Sequence, residues 1–172
     1  MSTMQPLPRR TTPEGRAAQM LASLWDGKLP VDVKAIAQRA GVQVEEAWGL
    51  DVSGVVSTDG TTPIIQVNPA ESLLRQRFTI AHELGHVSLG HLTREKPEFR
   101  DPTRNYTMSN YDPRERDANR FAAALLMPGD AVKAVIMRME EADIEALAEV
   151  FQVSKAAMSI RLKSLGVIPA WA

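Results

Sequence analysis

The feature that most constrains this chain is the sequence HELGH at residues 82–86, which together with His91 contains every histidine of the protein. On a helix of 3.6 residues per turn, His82 and His86 differ by about 40° in azimuth and about 6 Å in rise, so both imidazoles can reach one ion. Glu83 lies about 100° round the helix from His82, beside such an ion rather than on it. A carboxylate placed there can take a proton from an activated water. The spacing therefore predicts two ligands for one zinc ion per chain, with Glu83 as the catalytic base.

The residues around this motif predict a helix over residues 70–89. Asn68 is a suitable N-cap, Pro69 fits the first turn, and Gly90 lies just past the end. The face turned away from the two histidines carries an apolar stripe of Ile80, Leu84 and Val87. A helix of this kind fits between a core and a cleft, as an active-site helix does.

Composition limits what surrounds this helix. With 172 residues and 44% apolar residues, the chain has the size of one domain and enough apolar surface for a core. It contains no cysteine, which excludes disulfides and thiolate ligands and agrees with a reducing cytoplasm. Since it has neither a signal peptide nor an apolar run of bilayer length, we expect a cytoplasmic protein with no membrane contact. The net charge of −1 argues against broad non-specific binding of nucleic acid.

The predicted elements indicate an α+β fold. Residues 1–11 lack any periodicity and are expected to be flexible. One helix is then predicted over about 12–26, and a second is predicted to begin after Asp32 as its N-cap. The Asp59-Gly60 pair indicates a hairpin. Three short runs rich in β-forming residues predict a small antiparallel sheet, namely 42–44, 54–57 and 64–67.

A segment of about 20 residues, 93–112, separates the HELGH helix from the next predicted helix. Unstructured loops of this length are uncommon in compact domains and are usually functional lids or disordered segments. Because it joins the two halves of the metal site, we expect either a mobile flap over the cleft or plain disorder. It holds the only two tyrosines, Tyr106 and Tyr111. Either phenol could stabilise an oxyanion, and the alternative is that both pack at the edge of the loop.

Glu115 is the first candidate for the third ligand. It begins a helix predicted from Asp112 to about Met127, and it shares one face with Ala118 and Ala122. Two alanines there would let this helix pack closely against another, so that the carboxylate would project toward the histidines.

The residues by themselves leave alternatives open. Asp112 and Glu115 also fit a capping box, in which the glutamate bonds the amide of the cap residue instead. His91 is a rival ligand, although it follows His86 by five residues where the long histidine pattern of metallopeptidases requires six. Two other carboxylates are further candidates, namely Asp117 and Glu98.

Residues 130–172 are predicted to form a helical segment that resembles a helix-turn-helix. Asp130 is expected to cap its first helix, a second helix is expected over 144–151, and Ser154 is expected to cap a third. Gln152 occupies the turn, where glycine is common.

Two roles are open for this C-terminal segment. Its basic and acidic residues after position 142 are equal in number, which is unlike a nucleic-acid-binding surface. We therefore expect the helices to pack on the catalytic domain. Contact with a repressor or with DNA through residues 144–165 is the alternative.

Four blocks of the sequence form a recognisable succession. They are Leu29-Pro30-Val31-Asp32 with Ile36-Ala37, then Ile65-x-Val67-Asn68, then the run from Arg77 to His86, then Glu115-x-x-Ala118-Asn119-x-Phe121-Ala122-Ala123-x-Leu125-Leu126-Met127-Pro128. Together they resemble the ImmA/IrrE family of metallopeptidases. The resemblance covers nearly the whole chain from about residue 14, and the second and third blocks together are highly specific.

This resemblance implies a thermolysin-like zinc fold, with the peptidase domain over residues 12–129. Carried over residue by residue, His82, His86 and Glu115 would bind zinc and Glu83 would be the general base. The resemblance also implies a substrate, a transcriptional repressor of the helix-turn-helix (XRE) type. Its limited cleavage would release genes of a mobile element, a prophage, a defence system or a stress response.

A function of a different class is the alternative. Some relatives are partners in toxin–antitoxin pairs, so the chain could act by association with a repressor or with DNA while keeping an inherited site. The intact set of His82, Glu83, His86 and Glu115 argues against this reading. The sequence therefore favours a cytoplasmic zinc metalloendopeptidase.

Overall fold

The computed structural model describes residues 11–101 and 112–168, which form seven helices and one four-stranded sheet. The helices are α1 (Pro13–Leu24), α2 (Val33–Arg39), α3 (Leu73–Ser88), α4 (Pro113–Leu126), α5 (Gly129–Arg138), α6 (Ile144–Phe151) and α7 (Lys155–Ser164). The strands are β1 (Gln43–Glu46), β2 (Gly54–Ser57), β3 (Ile64–Val67) and β4 (Glu98–Asp101). The predicted α+β class is confirmed. None of these helices combines the length and the apolarity that crossing a membrane requires.

The sheet is mixed, whereas the sequence predicted an antiparallel one. Its strand order is β1-β3-β2-β4. Strands β2 and β3 form the antiparallel hairpin that Asp59-Gly60 indicated, and Gly60 has a φ of 96° in the connection. Strand β3 inserts between β1 and β2 and pairs with β1 in parallel. The runs of β-forming residues located three strands, but their order depends on pairing between distant segments, which local patterns do not encode.

A fourth strand lies inside the segment 93–112, which was predicted as a loop. Strand β4 pairs antiparallel with β2, and Phe99 lies opposite Val56. Phe99 is the one apolar residue of the sequence EFRD, so the run lacks the alternation that marks a strand. The strand forms because the edge of β2 supplies its hydrogen-bonding partners. Tyr106 and Tyr111 lie outside the described residues, and the role of the segment 93–112 as a flap stays a prediction.

Two helices begin at other residues than the sequence predicted. Helix α3 is capped by Ser72, whose hydroxyl accepts a hydrogen bond from the Arg75 amide at 3.2 Å. Asn68, the predicted cap, instead accepts from the Ala70 amide at 3.0 Å in the turn before the helix. Helix α5 has Pro128 as its N-cap residue, and the predicted cap Asp130 lies in the first turn. The predicted caps Asp32 and Ser154 are confirmed by hydrogen bonds from Ala35 and Ala157.

The hydrophobic core runs without interruption from the sheet to the C-terminal helices. Its largest fully buried apolar members are Ile36, Ile65, Ile80, Leu84, Phe121, Leu125, Leu126, Met127, Phe151 and Met158. Two buried or half-buried arginine side chains also connect the C-terminal helices to the rest of the chain. Arg161 donates from Nε to the Met127 carbonyl at 3.0 Å, and Arg77 donates from Nε to the Gln152 carbonyl at 3.2 Å. Helices α6 and α7 therefore pack on the rest of the chain, and a contact between these helices and DNA stays a prediction.

Candidate metal centre

Helices α3 and α4 approach each other closely beside the HELGH motif. A Cβ atom placed on Gly85 would lie 3.2 Å from the Cα of Ala118 and 3.1 Å from Cδ1 of Phe121. Contact this tight requires glycine on one helix and a small residue on the other. Glu115 lies one turn before Ala118 on the same face of α4, so this packing carries its carboxylate to the histidines.

Three of the predicted site residues meet at this crossing. Nε2 of His82 lies 3.0 Å from Oε2 of Glu115, and Nε2 of His86 lies 3.2 Å from Oε1 of the same carboxylate. The two Nε2 atoms are 3.2 Å apart. Both histidines are fully buried, whereas the Glu115 side chain keeps 14% of its surface exposed. The structure thus joins two residues one turn apart with a third that follows 29 positions after His86 in the chain.

The rival ligands lie elsewhere. Asp117 faces Arg120, with Oδ1 3.7 Å from Nη1, and Glu98 is 3.5 Å from Arg100. His91 contacts the opposite nitrogen of His86, Nδ1, at 2.9 Å. Glu115 does not serve as the second half of a capping box, because its carboxylate meets the histidines.

Each of these two histidines also has a contact at its outer ring nitrogen. Nδ1 of His82 lies 2.8 Å from Oδ1 of Asn119, and Nδ1 of His86 meets His91. A ring that donates from Nδ1 keeps its lone pair on Nε2, where a metal binds. Asn119 was not predicted as a residue of the site. Its position four residues after Glu115, on the same helical face, was the signal that could have identified it.

The chemistry and the spacing of these two imidazoles and one carboxylate suit a metal ion. In a tetrahedral zinc site with bonds of about 2.0–2.1 Å, neighbouring ligand atoms lie about 3.3 Å apart, and two histidines with one glutamate are a known catalytic ligand set. The observed separations of 3.0–3.2 Å among the Nε2 atoms and the carboxylate are close to that spacing. When both imidazoles carry their hydrogen on Nδ1, lone pairs of three buried or half-buried groups converge here, and a cation between them would offset their mutual repulsion. His82, His86 and Glu115 would hold it.

The electrostatics of the site favour the protonation states that metal binding needs. Burial lowers the pKa of His86 to about 4, so its imidazole is neutral at pH 7. Burial by itself would raise the pKa of Glu115, but hydrogen bonds with His82 and His86 outweigh it and hold that pKa well below its usual range. Metal ligands must be neutral imidazole and ionised carboxylate, and these are the states that the shifts of His86 and Glu115 favour.

Strand β4 covers one side of the site. The ring of Phe99 stacks on the imidazole of His86, with centroids 4.0 Å apart and planes inclined by 20°. Lys96 lies over the same phenyl ring, its Nζ 4.1 Å from the centroid. Since β4 ends the strand order in the described part of the chain, one edge of the sheet lies directly beside His86.

Glu83, the predicted base, is fully buried between α3 and β2. A Cβ atom on Gly54 of β2 would lie 3.7 Å from Cγ of Glu83 and would collide with Cγ2 of Thr79. Only glycine therefore lets the strand approach the helix at the level of the HELGH motif. Gly54 of β2 therefore lies beside the Glu83 side chain.

Replacing Gly54 by alanine should push the strand away from the helix. We expect Gly54→Ala to lower the free energy of unfolding by about 1–3 kcal/mol, because the added methyl group overpacks a contact with Thr79. Urea denaturation followed by circular dichroism measures this change. Adding Thr79→Ser removes the colliding methyl group and keeps the hydroxyl, so the double variant should regain part of the loss, while the contact with the Gln66 carbonyl at 3.1 Å remains. A double variant no more stable than Gly54→Ala would show that the collision is not the cause.

Comparison with known proteins identifies a family. Residues 30–163 match the IrrE N-terminal-like domain of the peptidase M78 family, a stretch that includes every residue of the candidate metal centre. A search of curated proteins found no match.

Proposed function

Because the chain belongs to the ImmA/IrrE family of metallopeptidases, we propose that it is a zinc-dependent endopeptidase that makes a limited cut in a helix-turn-helix transcriptional repressor. The observation that carries the catalytic part is the convergence of His82, His86 and Glu115 beside a buried Glu83. We propose that cleavage takes place in the cytoplasm and releases repressed genes of a mobile element, a prophage, a defence system or a stress response.

The chain's own residues would divide the chemistry of peptide hydrolysis between them. Bound zinc would supply a Lewis acid for water and for the scissile carbonyl. His82, His86 and Glu115 would hold it, and Asn119 would keep His82 in the required tautomer. Glu83 would take the proton from the attacking water and return it to the leaving amine.

The edge of β4 is the surface that suits an extended substrate. Its neighbour on one side is β2, and Phe99 in its centre stacks on His86. A substrate segment that adds to this edge as a further strand would pass beside the metal ligands. We propose that the scissile segment of the repressor binds in this way, which requires a cleavage site in an extended or locally unfolded part of that protein.

The substrate can be sought by labelling new protein N-termini in cells that express either the wild-type chain or Glu83→Gln. The expected result is a new N-terminus inside a helix-turn-helix repressor, present with the wild type and absent with the variant. New N-termini scattered over many proteins would contradict a limited cut. If none depended on Glu83, binding without catalysis would replace the proposal, and capture of repressor or DNA partners would be the next measurement.

A further inference from the structure

Four of the described helices, α2, α3, α6 and α7, end in the same backbone motif. A residue with left-handed φ follows each helix, and the amide of the next residue donates to the carbonyl five positions earlier, as in a Schellman cap. The left-handed residues are Gly41 (φ 80°), Gly90 (φ 73°), Gln152 (φ 51°) and Gly166 (φ 70°). The hydrogen bonds run from Val42 to Ala37 (2.9 Å), from His91 to His86 (2.9 Å), from Val153 to Ala148 (3.0 Å) and from Val167 to Leu162 (3.0 Å).

The cap of α3 differs from the other three in its side chains. Schellman caps are frequently accompanied by an apolar contact near the helix end, and valine is the donor residue after α2, α6 and α7. After α3 the donor residue is His91, and the residue it reaches back to is the ligand candidate His86. The two imidazoles meet at 2.9 Å between their Nδ1 atoms, with ring centroids 5.1 Å apart. The cap therefore pairs two polar rings at a position where the other caps carry an apolar residue.

The pair has one arrangement of hydrogens that suits metal binding. If Nε2 of His86 holds the cation, Nδ1 of His86 carries the hydrogen and donates it. Nδ1 of His91 must then accept, and the hydrogen of that ring lies on its Nε2. Asn119 accepts from Nδ1 of His82 in the same manner, so each ligand histidine has its own acceptor.

We propose that His91 is a positioning residue, which fixes the tautomer and the ring orientation of His86 for the metal, and that the Gly90-His91 cap is the device that places it. The inference rests on the proposed function, because it concerns the same metal site. The five-residue spacing of His91 from His86 is the spacing that a Schellman cap requires between donor and acceptor. It also directs the His91 ring to the outer nitrogen of His86, away from Glu115.

The variant His91→Val tests this role with the side chain that the other three caps use. Zinc affinity, measured by competition with a chromophoric chelator, should fall about 10- to 100-fold, as loss of an outer partner of a metal ligand does. The melting temperature of the metal-free protein should stay close to that of the wild type. His91→Asn offers an acceptor oxygen near the position of Nδ1 and should recover most of the affinity. The absorption spectrum of bound Co²⁺ should change in the valine variant and return in the asparagine variant.

Wild-type zinc affinity in His91→Val would overturn the proposal while leaving the proposed peptidase function intact. An equal and complete loss in His91→Val and His91→Asn would also overturn it, since that result indicates a direct ligand. A second, independent pair of variants changes the glycines of the caps. Gly90→Ala and Gly166→Ala strain the same motif at two helix ends and should lower the melting temperature alike. Only Gly90→Ala should weaken zinc binding, and equal affinities in the two variants would count against the cap as the positioning device.

Discussion

A chain carrying Glu83→Gln should bind zinc like the wild type and fail to cut its substrate. Glutamine keeps the shape of the buried side chain but cannot accept the proton of the attacking water. Glu83 is not among the three residues whose donor atoms converge, so zinc content should be unchanged. We expect the rate of cleavage to fall by about 10²- to 10⁴-fold, the range over which a positioned general base contributes.

Two measurements on the same preparation decide this prediction. Elemental mass spectrometry should give one zinc per chain for both proteins, and the repressor found by N-terminal labelling should be cleaved by the wild type alone. Comparable melting temperatures would show that the isosteric change leaves the fold intact. Cleavage by Glu83→Gln at the wild-type rate would remove Glu83 from the role of base. Loss of zinc would instead indicate that Glu83 supports the metal site.

The second large effect is expected for Glu115 of α4, the candidate third ligand. Glu115→Ala should lower zinc affinity by more than about 100-fold, because loss of a direct ligand exceeds the 10- to 100-fold cost of losing an outer partner. Its carboxylate is the group that meets both Nε2 atoms, at 3.0 and 3.2 Å. A chelator should then lower the melting temperature of the wild type, because bound metal stabilises only the folded state, and it should leave that of Glu115→Ala unchanged.

Asp117→Ala is the matched control for this variant. Asp117 lies on the same helix two positions later, is partly exposed, pairs with Arg120 at 3.7 Å and is not among the groups whose donor atoms converge. It should keep full zinc affinity, and any loss of stability should be within about 0.5 kcal/mol, as for most surface substitutions. Equal zinc binding by Glu115→Ala and the wild type would show that the third ligand is another residue. Reduced zinc binding by Asp117→Ala would indicate that the charge of α4, rather than direct ligation, sets the zinc affinity.

Features encoded within one helix could be predicted from the sequence. The HELGH spacing places His82 and His86 on one face by helical geometry alone, and the structure keeps them there. The small residues on the Glu115 face predicted that α4 packs closely on another helix, and in the structure Ala118 lies against Gly85 of α3. These predictions hold because helical periodicity depends on neighbouring residues and little on the rest of the fold.

Features that depend on distant partners escaped prediction. Strand β4 has little strand signal of its own and exists because β2 offers an edge, yet it carries the ring that stacks on His86. The role of Asn119 becomes visible only once α4 is docked on α3 and its amide reaches His82.

The position of His91 follows from the local sequence, whereas its role depends on tertiary packing. The sequence determined that Gly90 ends the helix and that a histidine follows it, and this local cap is enough to bring His91 to His86. Spacing by itself could not distinguish a third ligand from a partner of a ligand. The tertiary structure separated the two candidates, because the packing of α4 brings Glu115 to the Nε2 atoms of His82 and His86, whereas His91 lies against the outer nitrogen of His86.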